Sequence, residues 1–312
     1  MDLSLLSRQE RLEIELSLLF TENGFSRIKL SQFDEYELFH QHRAFLSGEQ
    51  MLTFTDPRGK LYALRPDVTL SVLKQAAYQP EECIKVYYKE DVFRMSAETH
   101  SYEAGRQIGI ERIEKQNPSQ EESVLLLAQQ ALMLLPVDTV LVLSHMDFLD
   151  RNEWFHSLRE QDQIDVLHLI SRKNRSDLEK FLTKKACPSE NYEELLMVLD
   201  LVGSPDSIEE KLESLISYPD LFSACLELVA LSRMLPADDH HRIMIDFSLV
   251  NSLNYYNGLI FQGFAEGCRD YVLSGGRYDR LARQFMPDKE SCGAIGFALS
   301  LDVLEPIVGD TL

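Results

Sequence analysis

The sequence predicts a mixed α+β fold: a mainly antiparallel sheet with flanking helices, interrupted by a helical insertion. Three observations carry this expectation. Strand-like alternation comes in closely spaced pairs, at 52–64 and again at 83–114, which suits antiparallel hairpins better than a doubly wound nucleotide-binding sheet. Helical patterns alone fill the stretch from about 150 to 237. Strand character then returns with "RIMIDFSLV" and continues past "GCRDYVLSGGRYDRL". The expected organisation is a sheet domain made of 1–149 and 238–312, with 150–237 as the insertion.

The elements follow in order. Ser7 and Glu10 form a capping box, Leu12, Leu16, Leu19 and Phe20 keep helical spacing, and Gly24 is a stop, which predicts a helix over 8–23. "FSRIKLSQFDEYELF" reads as extended. "LTFTDPRGKLYAL" (52–64) is a hairpin around Asp56-Pro57-Arg58-Gly59. A helix begins at Pro66-Asp67. "CIKVYYKEDVFR" alternates Ile84, Val86 and Tyr88 against Lys85, Tyr87 and Lys89, and "YEAGRQIGIERIE" is its expected partner strand, with Gln107, Gly109 and Glu111 on one face. Ser119 and Glu122 suggest a second capping box before a helix reaching Leu135, and "TVLVLSH" (139–145) a short buried strand. "SLVNSLNYYNGLIFQGF" (248–264) reads as strand, turn and strand, with Tyr255 and Tyr256 on opposite faces. "GAIGFALSLDVL" (293–304) is a glycine-bearing strand running into an apolar helix, and a closing helix is placed at about 296–308.

Composition narrows the function classes. With 31 Lys+Arg against 51 Asp+Glu, the 312-residue chain carries a formal charge of −20, and no segment is rich in basic residues, so nucleic acid is a disfavoured partner. No apolar run approaches the length of a membrane span, and the N-terminus turns charged within ten residues without a basic leader. The expectation is a cytoplasmic protein with no membrane partner. Five scattered cysteines, none in a CxxC pair, read as buried reduced thiols. "DDHH" (238–241) reads as a solvated loop rather than a metal site, and no cofactor is expected.

Four segments carry candidate chemistry. "LRPDVT" (64–69) puts a carboxylate and a hydroxyl at a helix start; the structural reading is that Asp67 or Thr69 caps the helix and Arg65 is solvated. "GRQIGIE" (105–111) spaces Gln107 and Glu111 four apart on one strand face, where they either hold an ammonium or imidazole or form a solvent-exposed polar face. "SGGRYDRL" (274–281) lacks the spacing of a phosphate loop, and Gly275-Gly276 suggests close backbone approach within a sheet. The apolar, aromatic stretch at 248–264 would suit a small-molecule pocket, yet Asn251 and Asn254 stand where a reactive charge is expected.

Taken in order, these segments resemble the catalytic domain of class II histidine–tRNA ligases, over about 1–149 and 238–308. "LYALRPDVT" is similar to that family's amino-acid-binding segment, "KVYYKEDVFR…RQIGIE" to its motif 2, "LVNSLNYYNGLIF" to its histidine-specific strand, and "SGGRYDRL…GAIGFALSLDVL" to its GGRYD segment and motif 3. The resemblance implies a class II aminoacyl-tRNA synthetase-like fold. It also implies a histidine pocket made by Asp67, Thr69, Arg94, Gln107, Glu111, Tyr255 and Tyr256. Within it, Glu111 and a tyrosine would hold the imidazole, Asp67, Thr69 and Gln107 the α-ammonium, and Arg94 the carboxylate.

The departures are systematic. Asn251 replaces the ligase arginine that activates the carboxylate. Asp302-Val303 replaces the Glu-Arg that closes motif 3 and holds ATP. Ser96 replaces the motif 2 carboxylate, Glu103 stands where an arginine is expected, and the motif 1 proline is missing near Ser31. The chain ends soon after motif 3, so no anticodon-binding domain is expected. Asp67 is a shortened version of the ligase glutamate. This combination is similar to a paralogous family, the regulatory subunits of short-form ATP phosphoribosyltransferase. That likeness implies a subunit with no catalytic activity of its own, required for the first step of histidine biosynthesis and for feedback by histidine. It further implies self-association as a dimer, a hetero-octamer with the short catalytic subunit, and no tRNA. Two alternatives stay open from the residues: a truncated ligase-like enzyme that forms an aminoacyl-adenylate, and a scaffold whose pocket binds nothing.

Overall fold

The computed structural model describes residues 6–43, 46, 51–77, 83–96, 100–115, 119–250, 256–286 and 292–309. The chain divides into two units, 1–139 with 263–312, and 140–262. In chain order the first unit begins with α1 (Arg8–Glu22), β1 (Ser26–Arg27), β2 (Phe33–Glu35), α2 (Tyr36–Gln41), β3 (Thr53–Thr55), β4 (Leu61–Leu64), α3 (Val68–Ala76), β5 (Cys83–Met95), β6 (Tyr102–Lys115) and α4 (Ser119–Met133). The second unit follows with β7 (Thr139–His145), α5 (Asp147–Asp150), α6 (Glu153–Ser157), α7 (Glu160–Ser171), α8 (Arg175–Lys184), α9 (Ser189–Met197), β8 (Val202–Gly203), α10 (Pro205–Glu209), α11 (Pro219–Met234) and β9 (Ile243–Asp246). β10 (Leu259–Ala265) carries the chain back to the first unit, which closes with β11 (Leu273–Arg277), α12 (Asp279–Phe285), β12 (Cys292–Ser300) and α13 (Leu301–Val308).

Local chemistry explains most of these boundaries. The Ser7 hydroxyl accepts from the Glu10 N–H and the Glu10 carboxylate accepts from the Ser7 N–H, so both halves of the expected capping box are present on α1. The β3–β4 hairpin turns where expected. The Asp56 carboxylate accepts from the N–H groups of Arg58 (2.8 Å) and Lys60 (2.9 Å), and Gly59 takes the positive φ of +82° that the turn requires. Asp67 is the N-cap of α3, accepting from the Leu70 N–H at 3.0 Å. Ser119, the proposed cap of α4, has its side chain outside the described residues.

Within the first unit the strand order is β1-β5-β6-β12-β11, with β1 parallel to β5 and the other pairs antiparallel. The register is what positions the site. Val86, Glu111 and Gly296 share one row across β5, β6 and β12; Tyr88, Gly109 and Ala298 share the next, and Glu90, Gln107 and Ser300 the one after. Side chains alternate across a sheet, so these rows lie on one face. The other face carries Tyr87, Ile110 and Phe297. There the fully buried Phe20 of α1 meets Tyr87 and Phe297 with ring centroids 6.0 and 5.9 Å apart. In the second unit β7 pairs with β9 in parallel, β8 pairs with β9 antiparallel, and the helices bury Val166, Ile170, Leu178, Leu182, Leu195 and Leu228.

Several expectations are corrected. Arg65 is not solvated: it is 0% exposed, ion-paired to Glu90 at 2.9 Å, and donates to the carbonyls of Ser31 and Asp91. The end of the segment read as extended is helical, because α2 buries Phe39 and stacks Tyr36 on His40 one turn later. Residues 296–300 are strand, paired with β6, and the last helix starts at Leu301. The stretch 150–237 is not purely helical, since β8 lies within it. Tyr256 precedes β10 rather than lying in a strand, and the first arm expected at 248–264 begins in a turn in which Ser248 donates to the Asp246 carboxylate; its residues 251–255 lie outside the described ones. The cysteines are free, but Cys83 is exposed; only Cys225 and Cys292 are fully buried. Among the described residues no helix is long and apolar enough to cross a membrane.

The buried Arg65 guanidinium ties the 30–32 segment, the entry to α3 and β5 together. Arg65→Ala strands the Glu90 carboxylate and is expected to lower unfolding free energy by about 3–5 kcal/mol. Urea denaturation checks this; a loss under about 1 kcal/mol would mean the pair behaves as a surface bridge.

Candidate functional site

The site is built around one carboxyl group. Glu111, in the middle of β6, is 2% exposed. Its Oε1 accepts from the Thr69 hydroxyl at 2.6 Å, and its Oε2 accepts from the Tyr278 hydroxyl. Thr69 comes from the first turn of α3, and Tyr278 from the junction between β11 and α12, so three separate chain segments meet at this group.

Each partner is locked from behind. The Tyr278 N–H donates to the Ala294 carbonyl (2.8 Å), and the Ala294 N–H donates to the Asp279 carboxylate (2.8 Å). The neighbouring Arg277 is 6% exposed and donates to Glu121 (2.6 Å) and to Asp279. The segment "GGRYD" is thus a buried ionic anchor that fixes the Tyr278 hydroxyl. Glycines make room on the sheet. A Cβ at Gly296 would overlap the Glu111 carboxylate, and one at Gly109 would come within 2.8 Å of the Tyr88 hydroxyl.

Electrostatics follow from this enclosure. Burial pushes the Glu111 carboxyl up to about 8; the hydrogen bonds from Thr69 and Tyr278 pull the other way, and nearby Asp67 adds to the rise. Burial likewise raises Asp67, opposed by the Leu70 N–H and by the Arg94 charge. Arg94 donates Nε–H to the Pro66 carbonyl at 2.9 Å. Asp67, Thr69, Arg94 and Glu111 are therefore neighbours, and Gln107 lies half-buried on the same face as Glu111. Tyr256 is half-buried and belongs to the second unit. Tyr255, Asn251 and Asn254 lie outside the described residues.

The sequence reading missed Tyr278. The signal lies in "SGGRYDRL", whose glycines account for the strand while the Tyr278 hydroxyl takes its role from Glu111, distant in the chain. Tyr278 is the second hydroxyl donor to Glu111, beside Thr69.

The far end of the same sheet face has a different character. The Asp302 carboxylate accepts from the Arg106 N–H at 2.7 Å and lies 3.2 Å from where a Gly105 Cβ would be. The Arg106 side chain is committed to Asp91 at 3.0 Å, and Glu103 lies across from Arg94 in the β5–β6 register. Val303 follows Asp302 in α13. This end carries the Asp302 and Glu103 carboxylates together with the Arg94 and Arg106 guanidinium groups. Among the described residues no group of three or more His, Cys, Asp or Glu side chains could hold a metal ion.

Comparison with known proteins places the chain in a family and a fold. A curated relative in Alkaliphilus metalliredigens, called ATP phosphoribosyltransferase regulatory subunit, is 28% identical over 91% of this chain and 72% of its own length. A histidine–tRNA ligase of Methanococcus maripaludis is 26% identical over 95% of this chain and 71% of its own. Among solved structures, an ATP phosphoribosyltransferase regulatory subunit/histidyl-tRNA synthetase from Bacillus halodurans superposes with a TM-score of 0.80 at 22% identity, covering 96% of this chain and 79% of that one. A chain of an ATP phosphoribosyltransferase complex from Thermotoga maritima gives 0.69 at 20%, covering 94% and 97%. The fold is therefore class II aminoacyl-tRNA synthetase-like, with a mixed sheet and flanking helices. The family model for histidyl-tRNA synthetase matches residues 3–304, and the chain belongs to that family.

Proposed function

We propose that this chain is a histidine-binding regulatory subunit of ATP phosphoribosyltransferase, acting in histidine biosynthesis without catalysing a reaction itself. One observation carries the reading: the two ends of the sheet face differ in kind. At one end the Thr69 and Tyr278 hydroxyls meet the buried Glu111 carboxyl with Asp67 beside it, a set of polar groups suited to an amino acid. At the other, Val303 and Glu103 stand at the positions where the ligase resemblance expects arginines, with Asp302 beside them. The names borne by relatives such as that of Alkaliphilus metalliredigens support the same reading.

In this reading Glu111 holds the imidazole. Asp67, Thr69 and Gln107 hold the α-ammonium, and Arg94 meets the carboxylate. The partner is the short catalytic subunit, joined in a hetero-octamer whose regulatory chains pair with one another. The acidic surface, with its charge of −20, disfavours tRNA. Regulation is linkage: histidine must bind one state of the assembly better than another, with a coupling of about 1–3 kcal/mol.

Two measurements test this. Exchange of labelled pyrophosphate into ATP is expected to stay at the protein-free level, because two cations are replaced at Asn251 and Val303 and each such donor contributes about 3–4 kcal/mol to the transition state. Exchange above background would identify an adenylate-forming enzyme instead. Calorimetric titration with histidine is expected to show saturable binding that weakens about tenfold to a hundredfold in Glu111→Ala, the range for removing one buried hydrogen-bond partner. Co-elution of that variant with the catalytic subunit should persist. Absence of binding in the wild type would leave only a scaffold.

A further inference from the structure

We infer that Glu111 carries a proton in the unliganded protein and shares it with a ring nitrogen of the ligand, so that the site takes a neutral imidazole rather than an imidazolium. The ligand half of this inference rests on the reading of the site as a histidine pocket. The proton on Glu111 does not.

The surroundings of Glu111 carry the inference. Both hydroxyls that reach it, from Thr69 and Tyr278, are neutral donors. Among the described residues no Lys, Arg or His forms an ion pair with it. Each packed element can be checked in turn. The start of α3 presents Asp67, a second carboxyl. β5 presents Val86 directly opposite and Tyr88 one row along, with Arg94 farther down acting on Asp67. β6 itself presents Gln107, and β12 presents Gly296. Before α12, Arg277 is occupied by Glu121 and Asp279. Among the described residues the one charged group facing Glu111 is thus another acid. A carboxylate 2% exposed, with a second carboxyl beside it and no described cation paired to it, is disfavoured against its protonated form. Burial accordingly moves its titration to about 8.

A carboxylic acid has a hydrogen-bond donor that a carboxylate lacks. Neutral imidazole has a ring nitrogen that accepts, and imidazolium has none. The acid form of Glu111 therefore selects the neutral ring. On binding, the O–H proton is shared along, or passes to, the ring nitrogen, and the pair keeps the same proton total. No proton enters from or leaves to solvent while free imidazole is neutral and free Glu111 is protonated, between about pH 6.5 and pH 8.

Calorimetry with histidine across about pH 6.5 to 9 tests the ligand half. The dissociation constant is expected to stay level up to about pH 8 and then rise up to about tenfold per pH unit. A plain carboxylate binding imidazolium would instead make it rise about tenfold per unit from pH 6.5 onward, which would overturn the inference. Glu111→Gln, whose amide also donates, is expected to bind within a few-fold of wild type at neutral pH and to lose the rise near pH 8. A loss as deep as that of Glu111→Ala would also overturn it.

Stability without ligand tests the proton alone. The folded carboxyl titrates above its unfolded value of about 4.5, so its contribution is complete below that pH and is lost as pH rises towards about 8. Within this window the wild-type unfolding constant should increase with pH by about tenfold per unit more than that of Glu111→Gln. Equal slopes would overturn the proton assignment whatever the ligand is. Unequal slopes with no histidine binding would sustain the proton and sink the histidine reading. If Glu111→Gln does not fold, infrared absorption of a protonated carboxyl, present at neutral pH and lost as pH is raised through about 8, gives the same answer in the wild type; its absence at neutral pH would overturn the assignment.

Discussion

The buried carboxyl of Glu111 is the constraint on which the site is organised. An acid 2% exposed in the middle of a sheet needs donors, and they come from two distant segments, Thr69 at the head of α3 and Tyr278 at the foot of β11. That requirement explains features that otherwise look unrelated. Gly296 leaves space for the carboxylate, and the Arg277–Glu121–Asp279 cluster holds Tyr278 at the right depth. Asp67 caps α3 so that Thr69 falls in its first turn.

Arg65 does for the outer layer what Glu111 does for the centre. Its guanidinium joins the chain before β2 to β5 and fixes the strand-to-helix turn that delivers Asp67 and Thr69. The segment "LRPDVT" thus has two jobs with opposite faces: Arg65 anchors and Asp67-Val68-Thr69 presents. Neither job requires a nucleotide. Where that sheet face ends lie Asp302 and Glu103, with Arg94 across from Glu103, while Thr69 and Tyr278 hold Glu111 farther along. In the proposed reading the chain binds an amino acid without activating it, which suits it to sensing that amino acid.

Much of this was legible in the sequence, and the reasons it was or was not are local. Signals closed within a few residues read true: the Ser7–Glu10 box, the Asp56–Gly59 turn, the alternation of β5 and β6, and the Asp67 cap. Features settled by distant partners did not. Arg65 looks solvated until Glu90, 25 residues on, is seen to neutralise it. Tyr278 acquires its role only through a hydroxyl contact with Glu111, 167 residues earlier in the chain. Residues 296–300 have helical company in "LSLDVL", but pairing with β6 takes them into the sheet. The ligase-like order of motifs identified the face on which Glu111 and Gln107 lie, while composition and periodicity alone left open whether it was buried or solvated.

The central claim is that this chain governs a separate catalyst through a bound amino acid. The direct measurement is ATP phosphoribosyl transfer by the short catalytic subunit, assayed alone, with this chain, and with this chain plus histidine. The account predicts a weak activity alone, a large gain on adding the chain, and loss of that gain as histidine saturates. Full activity of the catalytic subunit by itself, unchanged by the chain at any histidine concentration, would contradict it.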